Sequence, residues 1–337
     1  MLTFFYIATG IFIVFGLLAW VNIQKWYVKI FDFAKFHISV FSILLIIFYI
    51  IFIKNYTTLD WILLASLAII LIGNFSSILP FTPLHKKEIK RGNKDAISTS
   101  FLIANVRQAN RHTETLKKLI QQYNPNVILL TEVDQYWVDE IADTTQKYEH
   151  QILCPLSNTY GIALYSNLPL KNDKVNFYVE DEIPSIRAMI QVSDKDFINF
   201  FGLHPKPPAP WTKLLNKQAE VLIAAELIKE LKDPTIVAGD LNDVGWSAIT
   251  SAFKNISGLV DPRIGRGFYN TYNAKVPLFR YPVDHLFVSD CFKLNKIERL
   301  PKFGSDHFPI YVEVAYEPVQ RKKIQEDKEA VSGSAVA

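Results

Sequence analysis

Cysteine is almost missing from this chain, with Cys154 and Cys291 the two present in 337 residues. That excludes a disulfide framework, and both lie in apolar, strand-like surroundings where a buried free thiol is the ordinary outcome. A strong excess of one charge is also missing: 36 Lys+Arg stand against 33 Asp+Glu. Setting aside the four lysines and two aspartates of residues 1–80 leaves 32 basic and 31 acidic residues. The remainder therefore lacks the positive field of a protein that grips a long polyphosphate backbone, which weighs against a dedicated nuclease. No internal repeat is evident. No lysine or arginine precedes the first apolar stretch, so the N-terminus does not read as a secretory signal peptide.

What is plentiful is unevenly placed. Half of the residues are hydrophobic, and they crowd into residues 1–80. Three stretches there, 2–21, 36–53 and 59–79, each approach the roughly 20 residues a helix needs to cross a bilayer. This predicts a permanent anchor of three transmembrane helices, with Trp20, Trp26, Tyr27 and Trp61 as an interfacial aromatic belt. Lys25, Lys29 and Lys35 lie between the first two stretches, and Lys86, Lys87, Lys90, Arg91 and Lys94 follow the third. The opposite side carries Lys54 alone. The positive-inside rule then puts the rest of the chain in the cytoplasm, attached to the plasma membrane, which in a bacterium is the inner one. The lipid bilayer is an expected partner, and no protein partner is predicted.

Residues 81–97 are polar, basic and proline-punctuated, reading as a linker. Residues 98–318 alternate short β-type runs with helical patterns. Strands are expected at 101–106, 127–131, 161–165, 188–192, 197–203, 235–238, 285–288 and 310–314, and helices at 111–123 and 213–232. Consecutive β runs with isolated helices predict a layered α/β domain with mixed sheets. Residues 319–337, charged and then rich in small residues, read as a disordered tail.

Acidic, amide and imidazole side chains gather at the ends of these strands. Asn105 closes the first, Glu132 follows the second, and His204 ends the 197–203 run. Asp240 and Asn242 follow 235–238, Asp284 precedes 285–288, and Asp306-His307 precedes the last strand. Singly, each has a plain local explanation as a turn former or loop residue. Together they fit a rim where distant segments of a sheet protein converge.

The set resembles the endonuclease/exonuclease/phosphatase (DNase I-like) superfamily in its motif order. The pieces are Ala104-Asn105-Val106, Leu130-Thr131-Glu132-Val133, Gly161-Ile162-Ala163-Leu164-Tyr165-Ser166, Leu203-His204-Pro205, Gly239-Asp240-Leu241-Asn242, Val283-Asp284-His285 and Gly304-Ser305-Asp306-His307-Phe308-Pro309. The resemblance implies a four-layer sandwich, two packed mixed β-sheets flanked by helices, and a metal-dependent phosphoester hydrolase that activates water. It implies Glu132 as principal ligand of Mg²⁺ or Mn²⁺, with Asn105 and Asp306 contributing directly or through water; hard oxygen donors suit such ions. It gives Asp240 the orientation and deprotonation of water, Asn242 the phosphate, and His307, fixed by Asp284, a place beside the scissile phosphorus. His204 becomes a second imidazole, and which histidine is acid stays open.

The run His204-Pro205-Lys206-Pro207-Pro208 looks most like bacterial membrane-anchored members of that family. Lys206 and Arg187 are further candidates for substrate contact, each with a solvated or structural role as the alternative. The 263–280 segment, rich in Gly, Arg, Tyr and Asn, reads as a specificity loop or a self-packed one. A phosphodiester substrate, lipid-derived or small, is the leading expectation. A membrane-tethered nuclease is favoured instead if Arg263, Arg266 and Arg280 line a basic groove. A non-catalytic membrane scaffold is the alternative from another class.

Overall fold

The computed structural model describes residues 2–21, 23, 25–93, 96–210, 214–231 and 233–317. The expected tail, and the ends of the expected 213–232 helix, fall outside the described residues.

Three apolar helices come first: α1 (Leu2–Leu18), α2 (Trp26–Phe52) and α3 (Thr58–Ile78). Thr57 and Asp60 form a reciprocal capping box that starts α3. By length and composition α2 and α3, the latter extended by a 3₁₀ turn to Phe81, are long and apolar enough to cross a membrane; α1, at 17 residues, is shorter. Ile50, Phe52, Ile69 and Ile72 are each 60% or more exposed. The helix α2 begins ten residues before the expected 36–53 stretch. Asp32 explains why: it accepts Lys29 and Lys35 at 3.0 Å each, so charges that read as an inter-helix loop are neutralised on the helix itself.

The remaining elements are β1 (Ile97–Asn105), α4 (Glu114–Tyr123), β2 (Val127–Thr131), α5 (Gln135–Glu140), α6 (Ala142–Thr145), β3 (His150–Cys154), β4 (Ile162–Ser166), β5 (Leu170–Asn176), β6 (Ser185–Gln191), β7 (Phe197–Gly202), α7 (Leu214–Lys229), β8 (Thr235–Asp240), α8 (Ala248–Ser257), β9 (Asp284–Val288), β10 (Phe292–Arg299) and β11 (Ile310–Tyr316). They form two mixed sheets, ordered β10-β11-β1-β2-β4-β3 and β5-β6-β7-β8-β9.

Period-two burial builds the layers. Phe101, Ile103, Val127 and Leu129 point into a core shared with Ile186, Phe200, Ile236 and Ala238 of the other sheet. Their neighbours Leu102, Ala104, Ile128 and Leu130 pack outward against Leu116, Leu119 and Ile120 of α4. Phe201, Val237 and Phe287 pack outward against Val221 and Ala224 of α7 and Phe253 of α8. Two mixed sheets, covered by helices on both outer faces, result.

The helices and the sheets are joined by specific contacts. Within the expected 81–97 linker, Ile89 enters the inter-sheet core, and Glu88 accepts from the Asp261 N–H at 2.9 Å. Ile78 and Phe81 pack with Val244, Trp246 and Ile264. Trp246 Nε1 donates to the Asp32 carbonyl at 2.7 Å, and His37 Nε2 lies 2.6 Å from the Leu278 carbonyl.

Candidate active site

Strand direction brings the candidate residues together. Strand β1 runs parallel to β2, and β7 parallel to β8, so Asn105 and Asp240, which end their strands, and Glu132 and His204, which follow theirs, lie at C-terminal ends that share one rim. Strand β9 is antiparallel to β8 and starts with Asp284 opposite Asp240. Strand β11 is antiparallel to β1, with Ile310 opposite Ile103, so the loop with Asp306 and His307 returns to the same rim. Local backbone then aims the side chains. Glu132 and Asn242 adopt left-handed φ values of 60° and 53°. Gly239 has φ 136°, and a Cβ there would collide with the Leu203 carbonyl oxygen, so glycine is required for the turn into Asp240.

Asp240 is the centre. Its Oδ2 lies 3.8 Å from His204 Nε2 and 3.7 Å from His307 Nε2, and accepts from Asn105 Nδ2 at 2.9 Å. Asn105 Nδ2 also donates to Glu132 Oε1 at 2.9 Å, so one amide bridges two carboxylates. The Asn105 oxygen, expected to help hold a cation, accepts from the Arg107 N–H at 2.8 Å. His307 Nδ1 donates to Asp284 Oδ2 at 2.8 Å. Asn242 receives its backbone direction from Asp240 Oδ1 at 2.9 Å, and its amide donates to the Pro205 carbonyl at 3.0 Å. Asp306, half-buried, lies 3.6 Å from Arg107 Nε.

Burial dominates the electrostatics. It raises the Asp240 carboxyl, and the nearby Asp284 charge raises it further. It raises the Glu132 carboxyl too, against the Asn105 hydrogen bond. For His204 burial outweighs Asp240 and lowers the imidazole to about 4. His307 goes the other way: burial lowers it, but Asp284 and Asp240 together push it up to about 10. The two histidines thus flank one carboxylate in opposite charge states, His204 neutral and His307 cationic near neutral pH. Two buried atoms of the site, His204 Nδ1 and Asp284 Oδ1, have no hydrogen-bond partner among the described residues.

A metal fits the donor chemistry. Glu132 is a partly buried carboxylate with no ion pair to lysine or arginine among the described residues, and Asp306 borders the same cavity. A cation beside Glu132 would bring its raised carboxyl back down. Asp240, Asp284 and His307 also offer atoms within 4.8 Å of one another, with His307 Nδ1 and Asp284 Oδ2 already bonded to each other.

The family model described as Endonuclease/Exonuclease/phosphatase family matches residues 100–307, well over half of the chain. The chain belongs to that family. Its members' fold supports a phosphoric ester hydrolase here. No curated protein matches the sequence. Among solved structures, TDP2 of D. rerio complexed with single-strand DNA product is similar at 15% identity and TM-score 0.54, covering 64% of this chain and 98% of that one. A Bacteroides thetaiotaomicron mannosyl-6-phosphatase is similar at 17% identity and TM-score 0.50, covering 65% and 100%. A family protein from the same bacterium has 17% identity and TM-score 0.52, covering 67% and 100%. At these identities the likeness is one of fold.

The remaining candidates of this endonuclease/exonuclease/phosphatase chain lie elsewhere or are engaged. Lys206 is held by Glu180 at 2.6 Å. Arg187 stacks over Phe201 and lines a different cavity with Lys174 and Asn199. Arg263 is buried, bound to Asp261 at 2.7 Å, and Arg266 donates to the Pro262 and Ile89 carbonyls. The basic groove that would favour a nuclease therefore lacks two of its three arginines. Sequence reasoning missed Arg107, whose side chain meets Asp306, and Tyr160, whose ring lies 5.7 Å from His204. Neither carries a local signal, since both contacts cross between loops.

Proposed function

We propose that this protein is a membrane-anchored, divalent-metal-dependent phosphodiester hydrolase. The observation that carries the reading is Asp240: a buried carboxylate set between a neutral and a cationic imidazole, one amide away from Glu132. Glu132 and Asp306 would hold Mg²⁺ or Mn²⁺, and the ion would polarise a phosphoryl oxygen and offset the site's negative charge. Asp240, with its raised proton affinity, orients and deprotonates water. His307, kept protonated by Asp284, donates to the phosphoryl group, and Asn242 holds it in register. His204, neutral beside Asp240, is the second imidazole at the leaving oxygen.

The anchor is read as three crossings. The C-terminal end of α1 meets that of α3 through Trp20 Nε1 and Asn74 at 2.9 Å, which fits an alternating bundle. Lys29 and Lys35 on α2 lie near the end bound to the catalytic domain, which favours a cytoplasmic site on the plasma membrane. Burial of Arg263 and the pairing of Arg266 favour a small or lipid phosphodiester over a nucleic acid.

The test uses the full chain in detergent micelles, because Ile89 and Glu88 tie the helices to the sheets. Generic phosphodiesters, phosphomonoesters, phospholipids and single- and double-stranded DNA are assayed with Mg²⁺ and Mn²⁺, before and after chelation. Turnover of one class that chelation and Asp240→Asn both abolish is the expected result. Turnover that survives both, or none from folded protein, rejects the assignment.

A further inference from the structure

The cavity above the candidate site, about 500 Å³, has two unlike sides. Glu132, Asn242, Asp306 and His307 form one. The other comes from the membrane-type helix α2: Trp26, Ile30 and Phe33, spaced as one helical stripe. Ile30 is 54% exposed and Trp26 39%, so apolar surface stands uncovered beside an acidic, imidazole-bearing floor. The cations nearest on that helix do not face a ligand, because Lys29 and Lys35 are buried and both held by Asp32. The stripe does not end at the cavity. Tyr281 borders both this space and a second apolar cavity of about 390 Å³, lined by Phe36, Val40, Phe41 and Leu44 further along α2.

A bare phosphate or a sugar phosphate has no use for such a wall, and a nucleic acid strand would meet hydrocarbon where it needs cations. We infer that the substrate is a membrane lipid phosphoester, its phosphate against Glu132 and His307 and its hydrocarbon chain lying along Trp26, Ile30 and Phe33 toward the Phe36–Leu44 groove. This rests on the hydrolase reading above and names its substrate class. In the reaction, water adds to phosphorus, the bond from phosphorus to the leaving oxygen breaks, and that oxygen leaves with the proton. For a lipid phosphodiester, cleavage gives a phosphomonoester and an alcohol, without a redox partner.

The experiment uses full-length protein in mixed micelles of fixed composition with Mg²⁺, and a series of alkyl 4-nitrophenyl phosphodiesters from methyl to dodecyl. Nitrophenolate release is followed. Burial of about two methylenes corresponds to roughly tenfold in kcat/KM, so a rise of at least about tenfold along the series is expected. Ile30→Gln, at an exposed position, should flatten that rise through KM. A flat series in the wild type, an unaltered slope in Ile30→Gln, or faster cleavage of single-stranded DNA than of every alkyl ester would overturn the inference while leaving the hydrolase intact. No metal-dependent turnover of any probe would instead overturn the hydrolase reading beneath it.

Discussion

Two buried charge groups sit back to back on β9. Asp284 belongs to one and its neighbour His285 to the other, on opposite faces of the strand. In the second group Arg263 donates to both oxygens of Asp261, at 3.0 and 2.7 Å, and to His285 Nδ1 at 2.6 Å. His285 Nε2 in turn donates to the Asp243 carbonyl at 2.8 Å. Burial alone would raise the Asp261 carboxyl, but the Arg263 guanidinium brings it below the usual range. The first group, Asp240, Asp284, His204 and His307, has two carboxylates and no arginine; among the described residues it leaves Asp284 Oδ1 and His204 Nδ1 unpartnered, and it holds Asp240 at a raised proton affinity. A closed group of buried charges is costly to break, because removing one member leaves another unpaired. A group with spare donors, spare acceptors and a cavity above it is set up to meet something else.

Substitutions that separate activity from stability sharpen this contrast. The largest effect is expected for Asp240→Asn, which should cut kcat by about 10³-fold, the scale of a lost general base, while thermal unfolding moves little or upward because a buried carboxylate is removed. Kinetics beside calorimetry on the same sample would check it, and a parallel fall in stability would erase the distinction. Asp261→Ala should do the reverse. It strands a buried guanidinium, and a loss on the order of 3–5 kcal/mol in chemical denaturation is expected.

Glu220 provides an intermediate case, buried and bonded to Ser185 Oγ at 3.1 Å. Burial pushes it up to about 7. A carboxyl whose folded pKa exceeds its unfolded value binds its proton more tightly when folded. Its contribution is therefore intact below about pH 4.5, is lost as pH rises toward 7, and changes no further above that. Glu220→Gln should remove this decline and stabilise the protein at pH 8 by at most about 3 kcal/mol relative to wild type. Unfolding curves from pH 5 to 8 that run parallel for the two proteins would contradict it. The smallest effect is expected for Asp284→Asn, on the order of 10–100-fold in kcat, since His307 remains but loses its partner. The pH profile carries the signature: the limb belonging to protonated His307 should shift to lower pH, and an unshifted limb would detach Asp284 from His307.

Much of the candidate site was legible before any contact was known. Asn105, Glu132, His204, Asp240, Asp284 and His307 all stand at ends of runs whose period-two pattern marks strands, and strand ends are where a sheet exposes side chains. Less legible was each residue's partner. Asn105 was expected as a metal ligand; its bonds to the Arg107 N–H and to two carboxylates have no mark in the sequence. Lys206 and Arg263 were candidates for substrate contact or a groove, and Glu180 and Asp261 claim them. A short polar side chain in a loop looks the same in sequence whether it is free or paired.

The sequence by itself determined the apolar N-terminal helices, the layered strands and the order of the family's motifs, because these follow from periodicity and spacing along the chain. Only the tertiary structure decided where α2 begins and that it walls the candidate site. Those outcomes depend on contacts such as Trp246 with Asp32, 214 residues apart, and on Asp32 gathering two lysines into a helix that hydropathy alone would have started later. A one-dimensional pattern encodes which face of an element is apolar; what that face meets is settled only when the elements pack.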